Sequence, residues 1–133
     1  SLNAGRLAEA LRPYDLLVTF CGTTFHLPML LSQFPDLPLD QPHMDVCFLG
    51  RRLGYRGALK AIERQLGINR GGELQGMNGN DAVRCWNRCR HSRAEEARDH
   101  LLRYNEADCV NLQPLAEAFY HLMVQSTRPS STA

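Results

Sequence analysis

The sequence predicts a small α/β domain in which a parallel sheet is flanked by helices. Residues 16–21 form an apolar run of strand length that ends at Gly22, which is typical of a buried parallel strand. Residues 43–47 form a second short strand or strand end, and helical patterns precede and separate the two runs. Because parallel strands need a crossover connection, usually a helix, this alternation predicts a parallel sheet.

Helices are predicted on both sides of the first strand. Residues 2–11 have leucine and alanine at helical spacing, with Asn3 as a candidate N-cap. After the first strand, either Thr23 or Thr24 is placed to cap a second helix that carries Pro28 in its first turn. The first strand is therefore expected to lie between two helices.

The second half of the chain is predicted to be mainly helical. Asp45 is expected to cap the helix that follows it, and residues 59–66 form another helix face. Residues 71–79, which are rich in glycine, are predicted to be a loop near the functional site. The longest helical pattern starts at Ala94 and passes Pro114, where the helix either kinks or restarts.

One face of this long pattern carries the residues with the clearest chemical potential. Tyr104 and Asp108 lie one helical turn apart, and a phenol and a carboxylate at this spacing can hold a metal ion and orient water. On spacing alone, a core aromatic residue and a solvated charge are the more common interpretation. The apolar members of the periodic faces are predicted to be buried: Leu17, Phe20, Leu30, Leu59, Ile62, Leu101, Leu115 and Phe119.

Composition limits the functional classes to be considered. A chain of 133 residues with 44% hydrophobic and 22% charged residues fits one ordinary soluble domain. Its net charge of +1 gives no global attraction to a polyanion, so any nucleic-acid contact has to come from a local patch. No apolar run is long enough for a membrane span. Five cysteines, an odd number without a secretory signal, predict reduced thiols and a cytoplasmic location.

The segment around Asp108 resembles the third motif of the DEDD (DnaQ-like) 3'-5' exonucleases. In the YprB-type RNase H-like branch that motif typically reads His-Asn-x-x-Asp, and here Asn105 and Asp108 fall in step with it. Tyr104 takes the place of the histidine, as in the tyrosine subclass of DEDD enzymes. Residues 59–70, LKAIERQLGINR, also resemble the family pattern Leu-x-x-(Leu/Ile)-Glu-x-x-Leu-Gly-x-x-Arg.

A second segment resembles the second motif of the same family. Residues 20–28, FCGTTFHLP, overlay (Tyr/Phe)-Asn-Gly-x-x-Phe-Asp-x-Pro without a gap. Cys21 stands for the asparagine and His26 for the metal-binding aspartate. In the family fold this strand end faces the helix of the third motif, so His26 and Asp108 are predicted to meet in space.

The resemblance covers about residues 11–122 and implies a partial RNase H-like domain. Residues 1–124 are expected to form this α/β domain without its N-terminal strands, and residues 125–133 a flexible tail. The family's first motif, Asp-x-Glu on the first strand, does not occur in the sequence. Loss of those strands would leave an unpaired sheet edge, which makes a dimer plausible.

The resemblance implies a metal-dependent 3'-5' exonuclease that acts on a DNA or RNA 3' end. Tyr104, Asp108 and His26 are the candidate catalytic residues, and Asp108 and His26 the candidate ligands of magnesium or manganese. A two-metal site needs several carboxylates, and Asp108 supplies one, so this chain is expected to be inactive and to hold at most one ion weakly. The alternative is a degenerate domain that binds nucleic acid or protein without cutting.

The candidate nucleic-acid contacts fall into two groups. The motif segments contribute Cys21, Gly22, Phe25 and Asn105. The second group is a basic run with an interleaved aromatic residue, which could grip phosphates and stack a base, although a solvated helix face is the commoner meaning. Its members are Arg84, Trp86, Arg88, Arg90, His91 and Arg93.

Zinc binding is the third possible function of this sequence. Cys85, Cys89 and His91 lie close together, as do Cys21 and His26 at the strand end. Their spacing is not that of a standard zinc motif, and buried thiols are the simpler interpretation.

Overall fold

The fold consists of seven α-helices and two short strands, in the computed structural model that describes residues 3–74, 76–92 and 95–128. This confirms the predicted α/β class, in a mostly helical form. A π-helical turn, Gly22–His26, and a 3-10 turn, Gly72–Leu74, complete the described elements. In chain order the main elements are α1 Ala4–Leu11, β1 Leu17–Thr19, α2 Leu27–Gln33, β2 His43–Asp45, α3 Val46–Arg52, α4 Leu59–Gln65, α5 Gly79–Ser92, α6 Glu95–Val110 and α7 Leu112–Thr127.

The two strands pair in parallel, as the sequence predicts. Leu17 lies opposite His43, and Thr19 lies opposite Asp45. β1 is shorter than the predicted run and only half-buried, because within the described residues this sheet has two strands and few neighbours cover it. A carboxyl edge of the kind that carries sites in open α/β folds is nevertheless present.

The chain turns sharply at the end of β1. Cys21 adopts a left-handed conformation with a φ of 56°, which is uncommon for a residue with a side chain. At Gly22 an added Cβ would lie 2.1 Å from the Oγ1 atom of Thr19, so this position requires glycine. The predicted threonine cap is wrong, because a π-helical turn fills the segment and α2 begins only at Leu27. The predicted place of Pro28, in the first turn of α2, is confirmed.

Two predicted helix caps are confirmed. The Asn3 side chain accepts a hydrogen bond of 2.8 Å from the Gly5 amide at the start of α1. The Asp45 side chain accepts one of 3.1 Å from the Cys47 amide at the start of α3. Each carboxylate or amide oxygen satisfies a helix N–H group that has no partner within its own helix.

The long helical pattern is two helices. α6 ends at Val110, and α7 restarts after Asn111 with Pro114 in its first turn, where no N–H donor is required. The periodic face predicted along this pattern is therefore interrupted at Asn111. α7 extends to Thr127, so residues 125–127 of the predicted tail are helical, while residues 129–133 lie outside the described residues.

The core lies where α3, α4 and α7 meet beside the sheet. Val46, Ile62, Leu115 and Phe119 are buried in one cluster. An added Cβ at Gly50 would lie 3.0 Å from the Phe119 ring, so glycine lets α3 approach α7 closely. Of the eight residues predicted to be buried, three are in this cluster, and Leu17, Phe20, Leu30, Leu59 and Leu101 are half-buried.

The predicted loop at residues 71–79 contains the 3-10 turn and the first residue of α5. In the described part of the chain, no helix combines the length and the apolar character that crossing a membrane requires.

Candidate functional site

The end of β1 and one face of α6 enclose a cavity of about 500 Å³. His26 and Asp108 both line it, so the two motif segments meet as predicted. Asn105 lines the same cavity. Among the residues that the structure describes, the lining consists of Val18, Thr19, Phe20, His26, Ala58, Leu59, Asn105, Asp108, Cys109 and Leu112.

Local structure explains how these side chains converge. β1 and the residue after it supply one wall, and the π-helical turn carries the chain from Cys21 round to His26. Asn105, Asp108 and Cys109 share one face of α6, because they are three and four residues apart. The start of α4 adds Leu59. The result is a mainly apolar cavity to which both walls contribute a few polar groups.

Asp108 does not stand alone on this wall. Its Oδ1 atom accepts a charged hydrogen bond from the Arg70 guanidinium, and Arg70 also binds Glu63 through two bonds of 2.5 and 2.7 Å. Asn111 donates to the Glu63 Oε1 atom at 3.2 Å. The side chains of Arg70 and Glu63 are 4% and 2% exposed, whereas that of Asp108 is 33% exposed. The carboxylate of Asp108 thus joins a buried ionic network to the cavity.

The charges of this network hold one another in place. Burial works against the guanidinium charge of Arg70, but the hydrogen bonds that Arg70 donates to Glu63 and Asp108 outweigh it and raise the pKa of Arg70. The sequence analysis did not predict this network. The available signal was that Glu63 and Arg70 are the two charged residues of residues 59–70 that match the family pattern.

Tyr104 packs against cations instead of lining the cavity. The Nζ atom of Lys60 lies 4.7 Å from the centroid of its ring, and the Arg70 guanidinium carbon lies 5.9 Å away. Burial and the nearby charge of Asp108 raise the pKa of Tyr104, so its phenol is protonated at neutral pH. Its surroundings match the interpretation as a half-buried core aromatic residue.

Lys60 is unusual in this cluster. Its Nζ atom is buried and has no hydrogen-bond partner among the residues that the structure describes. Burial and the neighbouring charge of Arg70 lower the pKa of Lys60. The ring of Tyr104 is the favourable contact that the structure shows for this ammonium group.

Asp45 has a second role that the sequence did not reveal. Besides capping α3, it accepts hydrogen bonds from the amides of Cys21 at 2.8 Å and Thr23 at 3.0 Å. Burial works to raise the pKa of Asp45, but the hydrogen bonds from Thr23, Cys21 and Cys47 outweigh it and lower the pKa. One carboxylate therefore fixes both the start of α3 and the π-helical turn Gly22–His26, which we call the second-motif turn.

The remaining candidate contacts do not reach the cavity. Cys21, Gly22 and Phe25 belong to the turn that places His26, and none of them is among the described residues of the lining. The ring of Phe25 is exposed and packs edge-on against that of His26 with centroids 5.2 Å apart. Their place in the structure is that of a support for the site.

The basic run lies on α5, away from the cavity lining. Arg84, Trp86 and Arg88 are exposed on this helix, and none of them is among the described lining residues. Arg84 makes a loose ion pair of 3.5 Å with Asp81. Arg93, the last residue of the predicted run, lies outside the described residues.

Potential metal ligands are scattered through residues 3–74, 76–92 and 95–128. In that part of the chain no group of three or more histidine, cysteine, aspartate or glutamate residues is arranged to hold a metal ion. His26 and Asp108 share a cavity, but two such ligands, one of them in an ion pair, do not fit the two-metal centre that the resemblance implies.

The fold and cavity define an α/β domain whose candidate site lies beyond the carboxyl end of a parallel strand. A family model of the RNase H superfamily matches residues 2–120, and the chain belongs to that superfamily. No match was found among curated proteins or solved structures. Membership of this superfamily indicates nuclease-like activity on nucleic acid as the general functional class.

Proposed function

We propose that this domain binds the 3' end of a DNA or RNA strand in the cavity between β1 and α6, as a YprB-like member of the DEDD exonuclease class. The observation that carries the proposal is the meeting of the two motif segments, with His26 and Asp108 on one cavity. Superfamily membership supports nucleic acid as the ligand class. The more specific features, a 3' end and the exonuclease class, rest on the resemblance of the motifs.

The cavity suits a terminal nucleotide in size and character. Its volume of about 500 Å³ lies within the usual range of small-molecule sites. Phe20, Leu59 and Leu112 provide apolar contacts for a base or sugar, which are tolerant of base identity. Asn105 offers an amide that can donate to a phosphate or hydroxyl group.

The supply of metal ligands argues for binding rather than cutting by this chain. Two divalent ions need several carboxylates at close range, and Asp108 provides one, of which Oδ1 is already bonded to Arg70. The imidazole of His26 brings no negative charge when neutral. Magnesium or manganese is the cofactor that the resemblance implies for the complete family domain. For this chain, the ion pair of Asp108 favours a domain that holds nucleic acid without hydrolysing it.

Fluorescence anisotropy with a 5'-labelled single-stranded oligonucleotide, in EDTA, tests the binding step. We expect saturable binding that is stronger for a free 3' hydroxyl end than for a blocked end. Asn105→Ala should weaken binding about fivefold, which corresponds to the roughly 1 kcal/mol that one typical hydrogen bond contributes. Gln125→Ala is the matched control, because it removes an exposed helix amide about 20 Å along α7 from Leu112. Equal dissociation constants for the two variants would contradict the proposed site.

A nuclease assay with magnesium or manganese separates the two functional interpretations. We expect the oligonucleotide to remain intact while it is bound. Cleavage with magnesium that disappears in Asp108→Asn would show that this chain completes a hydrolytic metal site, contrary to the ligand count. If the folded protein neither binds nor cleaves the oligonucleotide, both interpretations are excluded.

A further inference from the structure

Cys21 and Cys47 lie side by side just beyond the ends of the two parallel strands. Thr19 and Asp45 are the last paired residues of the two strands. Cys21 lies two residues after Thr19, and Cys47 lies two residues after Asp45. The amides of both cysteines donate to the same Oδ1 atom of Asp45, at 2.8 and 3.1 Å. Because both amide nitrogens bind one oxygen atom at these distances, they lie within about 6 Å of each other, which brings the two backbones close to the separation that a disulfide bridges.

The two thiols differ in access. Cys21 is half-buried, whereas Cys47 is buried. Burial, followed by the contact with Cys47, raises the pKa of Cys21 to about 11. A solution oxidant therefore reaches Cys21 first, and reacts slowly at neutral pH because the thiolate is the reactive form.

We propose that Cys21 and Cys47 form a reversible oxidation site, in which a hydroperoxide closes the thiol pair to a disulfide. The Cys21 thiolate attacks a peroxide oxygen, an S–O bond forms, the O–O bond breaks, and hydroxide or alkoxide leaves and takes a proton. The Cys47 sulfur then attacks the Cys21 sulfur, the S–O bond breaks, and water leaves as the S–S bond forms. The two cysteines lose two electrons, the hydroperoxide gains two, and a dithiol reductant reverses the reaction.

The disulfide would tie the second-motif turn to the start of α3. Cys21 opens the π-helical turn that positions His26, and Cys47 lies in the first turn of α3. Both segments are already held by Asp45, so the bond adds a covalent link to a junction that exists in the reduced protein. By restricting the unfolded chain, such a link should raise the melting temperature.

Oxidation of a variant that retains only this pair tests the proposal. Cys85→Ser, Cys89→Ser and Cys109→Ser remove the other three thiols. After hydrogen peroxide treatment we expect a mass loss of about 2 Da and a cross-linked peptide containing both cysteines. The melting temperature should rise by about 5 °C and return with dithiothreitol. The oxidation rate should increase about tenfold per pH unit between roughly pH 7 and 9.

The matched control is Cys21→Ser on the same background, which should show neither the mass loss nor the thermal shift. Two alkylatable thiols remaining in the folded protein after oxidation would overturn the proposal. So would a disulfide that forms only when the chain is first unfolded in urea, because proximity in the fold would then play no part.

Discussion

Replacing Arg70 with methionine should be among the most damaging single changes to this fold. Its side chain is 4% exposed and binds both Glu63 and Asp108, so methionine keeps much of the length but removes every ionic contact. Glu63, which is 2% exposed, would then retain only the hydrogen bond from Asn111. Removing one partner of a buried ion pair costs roughly 3 to 5 kcal/mol. That is a large share of the 5 to 15 kcal/mol by which a typical domain is stable.

Urea unfolding followed by circular dichroism measures this loss directly. Arg84→Met is the matched control, because it removes an arginine–aspartate pair of 3.5 Å in which the arginine is 79% exposed. Such an exposed pair contributes less than about 1 kcal/mol. The two arginine variants should therefore differ by at least about 2 kcal/mol in the free energy of unfolding.

A second variant tests whether the loss of stability in Arg70→Met comes from the unpaired, buried carboxylate of Glu63. Glu63→Leu combined with Arg70→Met removes both charges of the more buried pair, and we expect it to recover part of the stability lost in Arg70→Met alone. If Arg70→Met unfolds within about 1 kcal/mol of the parent protein, the network is not the structural element described here.

Three further changes test other parts of the structure. The pKa of Asp45 is lowered on folding, so its contribution to stability is present above about pH 4 and is lost as the pH falls through the folded pKa. Asp45→Asn should therefore be less stable than the parent protein at neutral pH, and the urea midpoints of the two proteins should converge in stronger acid. Phe119→Ala should lose about 3 to 5 kcal/mol of unfolding free energy, and the exposed Tyr120→Ala should lose far less. Gly22→Ala places a methyl group 2.1 Å from a threonine hydroxyl and should lower the melting temperature, whereas Gly72→Ala meets no atom within 4 Å.

Local signals in the sequence predicted much of the fold. The caps at Asn3 and Asp45 each join one side chain to an amide two residues further on, so both could be predicted from the local sequence. The parallel pairing followed from the order of helices and strands. The choice between a kink and a restart at Pro114 stayed open, because both satisfy the same local chemistry.

The ionic network could not be predicted from local patterns, whereas the meeting of His26 and Asp108 followed from the resemblance of the two motif segments. Glu63 and Asn111 are 48 residues apart, and Arg70 and Asp108 are 38 apart, so no helical period connects them. The extent of burial was overestimated for β1, because periodicity shows which face is apolar and not how many elements cover it. The same limit applies to Tyr104, whose spacing from Asp108 was correct but whose ring packs on Lys60.

Asp108 belongs both to the buried ionic network and to the wall of the cavity, so a substitution there has to separate the two roles. One of its oxygens is bonded to the buried Arg70, while the side chain is one-third exposed on the cavity wall. Asp108→Ala removes both features and could abolish binding simply by weakening the network. Asp108→Asn removes the negative charge and replaces one oxygen with an NH2 group, but it keeps an oxygen that can accept from Arg70.

If the carboxylate repels the phosphates of a bound strand, Asp108→Asn should bind the oligonucleotide several-fold more tightly in EDTA, at nearly unchanged melting temperature. Anisotropy titrations at two salt concentrations measure this, since the gain should shrink as salt screens the charge. Weaker binding by a variant that melts with the parent protein would mean that the carboxylate contacts the strand favourably. Unchanged binding would place the strand away from Asp108 and so outside the proposed cavity.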